Sequence, residues 1–446
     1  MKCARCGLES AHEKFFHTVR RTFSRRTRSL CPTCFRDKDD AVHKITFWSF
    51  CVLGLVGLFR IFVFPNLAMV TVPLNLGFLT VASVVGTILH ELGHAAAGML
   101  AGHRIFSVEI GKGAAFLEFK WLGSRWRFGA LPVGGLVMGM PRRPDCPRLR
   151  RALFIAGGPA ANAILALIAW KLLWLDKLLA FGPLAGFTPV GMILFANLMI
   201  VVVGLWPYRV LTAHGRVSSD GLSLWQIWRE DNAKFPASFY LFYLLEANEC
   251  CLDRKFVDAQ KWLADGLRAF PGNHWLEFNA AAVLVSESKL EPARDAFRAL
   301  LPALENDPNL YPLLLNNIAW LDVMLGRPEL LPEADDFSRR ALESGPGMPC
   351  IRGTRGSVLV ELGQYNEGVA LLEDALRREP GKPGKAISAC YLGIAAARRG
   401  QAAECRNYFA LARKLDPHCL LLSGEKNPAG ETSAPEPAPM PVRTEN

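Results

Sequence analysis

The sequence predicts a mainly α-helical protein in parts: a polytopic membrane domain of about four spans with a small β-hairpin insert, an α-solenoid of helical repeats, and a small cysteine module at the N-terminus. Three observations predict this. Long apolar runs crowd residues 45–206 of the 446, and about 20 apolar residues suffice for one helical crossing of a bilayer. Pro271, Pro308, Pro346, Pro380 and Pro417 recur at spacings of 37, 38, 34 and 37 residues, a period that belongs to stacked helix pairs. Two CxxC pairs stand within the first 40 residues.

The N-terminal module reads CARC and CPTC, with 24 residues between the pairs. Cys3, Cys6, Cys31 and Cys34 can complete one tetrahedral Zn²⁺ site of the ribbon type. A segment of 1–40 is too short to bury a sufficient core, so a structural zinc would supply much of its folding energy. The remaining cysteines are scattered, which fits a reducing compartment rather than a disulfide framework.

Four spans are expected, at about 45–64, 76–101, 152–174 and 189–206, within a membrane domain of 41–225. No cleavable signal peptide precedes them, because the N-terminus is polar and basic. The net charge of +10 fits cytoplasmic loops, and no nucleic-acid partner is expected. Residues 1–44 and the stretch RRPDCPRLRR (142–151) are rich in arginine, whereas the loop between the first two spans has no Lys or Arg. The positive-inside rule then places both termini in the cytoplasm, in a cell membrane of bacterial type.

Between the second and third spans, LEFKW and WRF flank Gly123-Ser124 in alternating patterns, which predicts a β-hairpin within 104–137. An extended substrate segment could add to it as a further strand. From 235 to 420 the pattern is helical. LGQYNEGVALLEDAL and YLGIAAARRGQAAECRNYFALARKLDP resemble tetratricopeptide repeats, with Gly363 and Tyr365 at the turn, and the resemblance weakens towards the N-terminal units. Such stacks present a concave surface to a protein partner. The Pro-rich tail, 421–446, is expected to be disordered.

The chemistry lies in TILHELGHAAAG (87–98), inside the second span. His90 and His94 are four apart, on one helical face, where both can ligate one Zn²⁺. Glu91 is placed to take a proton from an attacking water rather than to bind metal. An acidic residue within a span costs roughly 2.5–3.5 kcal/mol on insertion and calls for a use. A catalytic zinc takes three protein ligands. Asp220, after the fourth span, is the best third ligand, and Gly221 would let the backbone turn there. Asp176 falls on the far side, and His103 and His214 read as exposed loop residues.

Taken in order, HELGH (90–94), LPVGG (131–135) closing the hairpin, AGGPAAN (156–162) opening the third span, and Asp220-Gly221 after the fourth make the chain resemble the site-2 protease family of intramembrane zinc metalloproteases. The resemblance covers about residues 75–225. It implies that His90, His94 and Asp220 bind a catalytic zinc, that Glu91 is the catalytic acid/base, and that a transmembrane or membrane-proximal peptide is cleaved. Asn162 is a candidate substrate contact, with helix packing the equal alternative. One departure stands out. The family often has asparagine three residues before a proline shortly ahead of the aspartate; here GLWP puts Gly204 there, the gap from Pro207 to Asp220 is longer, and Asn197 lies further upstream.

The expected function is therefore an intramembrane zinc endopeptidase acting on membrane proteins, in regulated proteolysis, with the repeats recruiting substrate or regulator. The alternative is a non-proteolytic membrane scaffold that uses the repeats for protein binding.

Overall fold

The computed structural model describes residues 17–20, 27–30, 48–49, 52, 55, 71–179, 184–212, 215–229, 234–345, 347–379 and 381–423. The four N-terminal cysteines, nearly all of the expected first span, His214 and the end of the chain from 424 lie outside them. Two short strands, β1 (His17–Arg20) and β2 (Thr27–Leu30), pair antiparallel. The rest divides into two compact units, the first ending at Glu249 and the second starting at Cys250. The expected start of the repeat domain, residue 235, thus falls inside the first unit.

In the first unit, α1 (Thr71–Leu100) and α2 (Pro147–Lys171) are long and apolar enough to cross a membrane, by length and composition. The third apolar helix, α4 (Pro189–Leu205), is only 17 residues long. The described residues thus hold two candidate spans and one shorter helix, not four. Thr80, Ser83 and Thr87 donate their hydroxyls to carbonyls four residues back, at 2.7–3.0 Å, so α1 satisfies these polar groups within itself, as a helix in lipid must. α2 starts on Pro147 at its N-terminus, five residues earlier than expected. The GGPAAN stretch therefore sits in mid-helix rather than opening it. Between α2 and α4, the short α3 (Trp174–Leu179) carries Asp176. Its carboxylate accepts the Val190 and Gly191 N–H groups, both at 2.8 Å, and so caps the positive end of α4.

The expected hairpin is a larger sheet. β3 (His103–Trp121) and β4 (Ser124–Pro141) are both long and irregular, and residues 107–110 pair on one edge with 135–138 and on the other with 125–128. Each long strand is thus bent into two segments. Ile105, Val108, Ile110 and Trp126 bury one face against Ala95 of α1, with Phe154 of α2 packed alongside. His103, read from sequence as an exposed loop residue, opens β3 and is 3 % exposed. It stacks on Phe154 at 5.1 Å, and burial lowers its pKa to about 4, which keeps it neutral at physiological pH.

After α4, β5 (Arg209–Thr212) and β6 (Gly215–Ser218) form a hairpin, and α5 (Asp220–Arg229) follows. α6 (Lys234–Ser238) leads into α7 (Tyr240–Leu252). Two carboxylates of α7, one turn apart, hold the sheet: Arg104 donates to Glu246 at 3.0 Å and Arg125 to Glu249 at 2.9 Å. Glu249 is buried, so removing its arginine would leave a charge unpaired in the interior.

In the second unit, helices alternate as α8 (Phe256–Ala269), α9 (His274–Ser286), α10 (Leu290–Ala299), α11 (Leu301–Leu304), α12 (Tyr311–Leu325), α13 (Leu331–Ser344), α14 (Pro349–Glu361), α15 (Tyr365–Arg378), α16 (Lys382–Arg398), α17 (Ala402–Leu415) and α18 (Leu420–Ser423). The turns within the pairs α9–α10, α12–α13, α14–α15 and α16–α17 carry a left-handed residue each, Ser288, Gly326, Gly363 and Gly400, with φ between 61° and 78°, and Arg254, ahead of α8, has φ 58°. Four pairs are therefore built on one turn geometry. Glycine adopts it freely in the last three, whereas Arg254 and Ser288 take it at a cost on the order of 1 kcal/mol. That is why the repeat signature fades towards the N-terminal pairs.

Candidate metal centre

α1 brings His90, Glu91 and His94 to one side, in the C-terminal third of the helix. At 1.5 Å per residue they lie about 9–15 Å from its end, near one surface of an apolar layer. The helix crossing that frames them depends on small residues. A Cβ on Gly93 would meet Ala161 Cβ at 2.8 Å, and one on Gly157 would meet Ala97 Cβ at 2.5 Å. At Gly158 the space is filled by the histidines themselves: a Cβ there would come within 2.7 Å of His90 Nε2 and closer still to His94 Nε2. Gly135, on β4, plays the same part for Glu91, whose carboxyl carbon would lie 2.6 Å from an added Cβ.

Asp220 reaches the histidines because the long gap after Pro207 is pinched off. The β5–β6 hairpin loops out 209–218, and its base is closed by Ser219 N–H donating to Tyr208 O at 3.0 Å and Ser219 Oγ donating to Trp206 O at 2.7 Å. The chain thereby returns to the end of α4. Gly221 is required there for a different reason than the expected turn. It lies in a helix, and a Cβ would sit 2.8 Å from Leu205 Cα and overlap the Leu205 carbonyl oxygen.

The resulting geometry is compact. His90 Nε2 and His94 Nε2 are 3.1 Å apart, and Asp220 Oδ2 is 3.1 Å from the first and 3.6 Å from the second. Ligand atoms around a tetrahedral zinc, at about 2.0–2.2 Å from the ion, lie roughly 3.3 Å from one another. The protonation pattern points the same way. His90 Nδ1–H donates to Asn162 Oδ1 at 2.7 Å, and His94 Nδ1–H donates to Phe154 O at 2.9 Å. The Gly158 N–H also approaches His94 Nδ1, at 3.3 Å, but the accept-only carbonyl at shorter range decides the tautomer. Both Nε2 atoms then carry lone pairs and face a carboxylate oxygen. Three electron-rich atoms at this separation repel one another unless a cation lies between them. Among the described residues, this His-His-Asp set is the group able to hold a metal ion.

Glu91 is buried and stands one residue from the first ligand, at the edge of a cavity of about 610 Å³. The cavity wall is apolar along Leu79, Phe195, Met199 and Val203, and polar at His90, His94 and Asp220. Residues 134–137 of β4 line it too, so the sheet edge considered for strand addition borders the cavity. Asn162 does not line it. It is fully buried at 0 % exposure, and its amide is taken up by His90, Gly86 and Asn197. The expected substrate contact does not fit this placement; long-range packing of three helices, invisible in the local AGGPAAN pattern, turns the side chain towards the histidine. Sequence reasoning also missed what Gly158 and Gly135 make room for, and the Phe154 carbonyl. None of these has a signal in residue type alone.

An HExxH helix with Glu91 and His94 buried, joined by a distant aspartate, defines a metallopeptidase-type centre set in apolar helices. Residues 78–358, more than half of the chain, match the model of peptidase family M50, and the chain belongs to that family. Among curated relatives, the regulator of sigma-E protease RseP of Escherichia coli (strain K12) is 32% identical over 124 residues, covering 24% of this chain and 27% of that protein. A provisionally named zinc metalloprotease of Rhizobium meliloti (strain 1021) is 34% identical over 122 residues, covering 26% and 30%. The matches thus span less than a third of the length of these relatives. Among solved structures, a thermophilic tetratricopeptide-repeat protein of Thermus thermophilus covers 41% of this chain and 94% of its own, at 18% identity and a TM-score of 0.34.

Proposed function

We propose that this protein is an intramembrane zinc endopeptidase that hydrolyses peptide bonds in or next to transmembrane segments. The observation that carries the reading is the convergence of His90, His94 and Asp220 to within 3.6 Å, beside Glu91 and inside an apolar helix pair. Zinc at these residues would polarise the scissile carbonyl and make water acidic enough to attack near neutral pH. His90 and His94 keep their Nε2 lone pairs directed at the site because their Nδ1 protons are occupied. Glu91 takes the proton of the attacking water and returns it to the leaving amine. The apolar cavity wall suits a hydrophobic segment, and the edge of β4 offers it backbone partners. The positive-inside pattern supports cytoplasmic termini in a bacterial cell membrane. The name of the RseP relatives supports a role in regulated proteolysis.

Zinc content per chain tests the metal sites. The detergent-purified parent is expected to hold two ions, one at His90, His94 and Asp220 and one at Cys3, Cys6, Cys31 and Cys34. His90→Ala and Asp220→Ala should each lose the first, and replacement of the four cysteines the second. Unchanged zinc in both His90→Ala and Asp220→Ala would sink the proposed centre.

The helical repeats recruit a substrate or a regulatory protein in this reading, supported by the four helix pairs of the second unit. A chain ending after Arg254 keeps the Glu246 and Glu249 ion pairs with the sheet. It should cleave the native substrate several-fold more slowly than its abundance explains. Equal cleavage per folded molecule would remove the repeats from the mechanism.

A further inference from the structure

Behind His90 stands a pair of buried amides whose orientation is fixed from both ends. Asn162 on α2 and Asn197 on α4 are 0 % and 2 % exposed. Asn162 Nδ2 donates to the Gly86 carbonyl at 2.9 Å and to Asn197 Oδ1 at 2.8 Å. Asn197 Nδ2 donates to the Ile193 carbonyl at 2.9 Å. A backbone carbonyl only accepts. Ile193 O therefore forces the Asn197 amino group towards itself and turns Asn197 Oδ1 to Asn162. Gly86 O and Asn197 Oδ1 together then force the Asn162 amino group towards them. The oxygen of Asn162 is left facing His90 Nδ1, at 2.7 Å.

We propose that Asn197, through Asn162, is a positioning residue for the metal centre: the two amides form a relay that sets the His90 tautomer and so directs the Nε2 lone pair at the metal. The inference rests on the zinc reading above. Its logic follows from an asymmetry between the two histidines. His94 is oriented by a main-chain carbonyl, that of Phe154, which no side-chain substitution removes. His90 depends on side chains alone. The small residue Gly86 makes room for the pair, since a Cβ there would meet Asn197 Oδ1 at 3.2 Å and Ile200 Cδ1 at 2.8 Å. Histidine ligands to metals are commonly held in this way through their second nitrogen, and loss of such a partner typically costs about 10–100-fold in metal affinity. Here the partner of the partner also matters. Without an acceptor at 197, only the Gly86 carbonyl still holds the Asn162 amide, and the flipped orientation, which would present the amino group to His90, force the proton onto Nε2 and block the ligand position, becomes less costly.

Two substitutions at 197 separate this role from helix packing. Asn197→Asp, protonated in its buried site, still accepts from Asn162 with its carbonyl oxygen and donates to Ile193 O with its hydroxyl. Asn197→Leu removes both functions but suits an apolar helix. The measurement is zinc affinity of the full-length protein in detergent, by competition with a chelating dye, with His94→Ala as the reference for an absent site and the ribbon cysteines replaced throughout. The relay predicts that Asn197→Leu binds zinc about tenfold more weakly than the parent, and that Asn197→Asp stays within about threefold. A packing role predicts the reverse order, because leucine is tolerated between apolar helices and aspartate is not; that order, or equal affinity in all three, overturns the proposal. Should Asn197→Leu fail to fold, Asn197→Ala is measured in its place against the same expectations. If the parent itself binds no better than His94→Ala, the zinc reading fails and not the relay alone.

Discussion

Glu91→Gln is expected to keep its zinc and lose its proteolysis. Glutamine has the size of glutamate and accepts hydrogen bonds, but it takes no proton near neutral pH. The three ligand atoms at the centre come from His90, His94 and Asp220, so the metal does not depend on residue 91. Loss of a positioned general base lowers the rate by about 10²–10⁴-fold, and a fall of about 10³-fold corresponds to roughly 4 kcal/mol of barrier. Cleavage of a reconstituted membrane-protein substrate, followed by gel and normalised to zinc content, reads both quantities from one preparation. The scaffold alternative predicts no change in either. It also leaves unexplained why a carboxylate is kept buried, against Gly135, at the edge of an apolar cavity. Proteolysis by Glu91→Gln at the parent's rate would end the enzymatic reading of this residue.

What the sequence made legible was mostly local. HELGH gives its geometry away because a helix alone places residues four apart on one face. The repeat period was readable from the prolines throughout, whereas the tetratricopeptide resemblance was clear in the last two units, as at Gly363, and faded where Arg254 and Ser288 take up the same left-handed conformation. Asp220 was singled out by its place after the fourth span and then by family resemblance, although the long gap from Pro207 argued against it. The gap is harmless because the β5–β6 hairpin is closed at its base by Tyr208 and Ser219, a contact between residues whose types carry no such message. Asn162 was open between substrate contact and helix packing, and its position opposite His90 depends on how α1, α2 and α4 pack, which no local pattern encodes. The sheet was likewise underestimated. Alternation reveals strands, but not that residues 107–110 are paired on both edges.

Gly158→Ala is expected to empty the metal centre without unfolding the helix that carries it. The change adds one methyl group in the middle of α2, where alanine is the better helix former by up to about 1 kcal/mol. Intrinsic propensity therefore favours the variant, and any loss must come from what the methyl group meets. It meets His90 Nε2 at 2.7 Å and His94 Nε2 closer still, well inside contact distance and at the very atoms that bind metal. The imidazoles have little freedom to retreat, since His90 is held by Asn162 and His94 by the Phe154 carbonyl. A displacement of about 1 Å at such a site can cost on the order of 10²-fold in rate, and zinc affinity should fall at least as far, because the ligand atoms themselves are pushed. Gly135→Ala supplies the contrast. Its methyl group would press on the Glu91 carboxyl carbon at 2.6 Å and on the Glu109 carbonyl oxygen at 2.7 Å, with the histidines and Asp220 not among its three nearest contacts, so activity should drop while zinc remains. Equilibrium dialysis against buffered zinc, with circular dichroism to follow helix content, distinguishes the two. Parent-like zinc binding by Gly158→Ala would mean that the histidines do not face α2 as the structure places them, and the three-helix frame of the site would have to be redrawn.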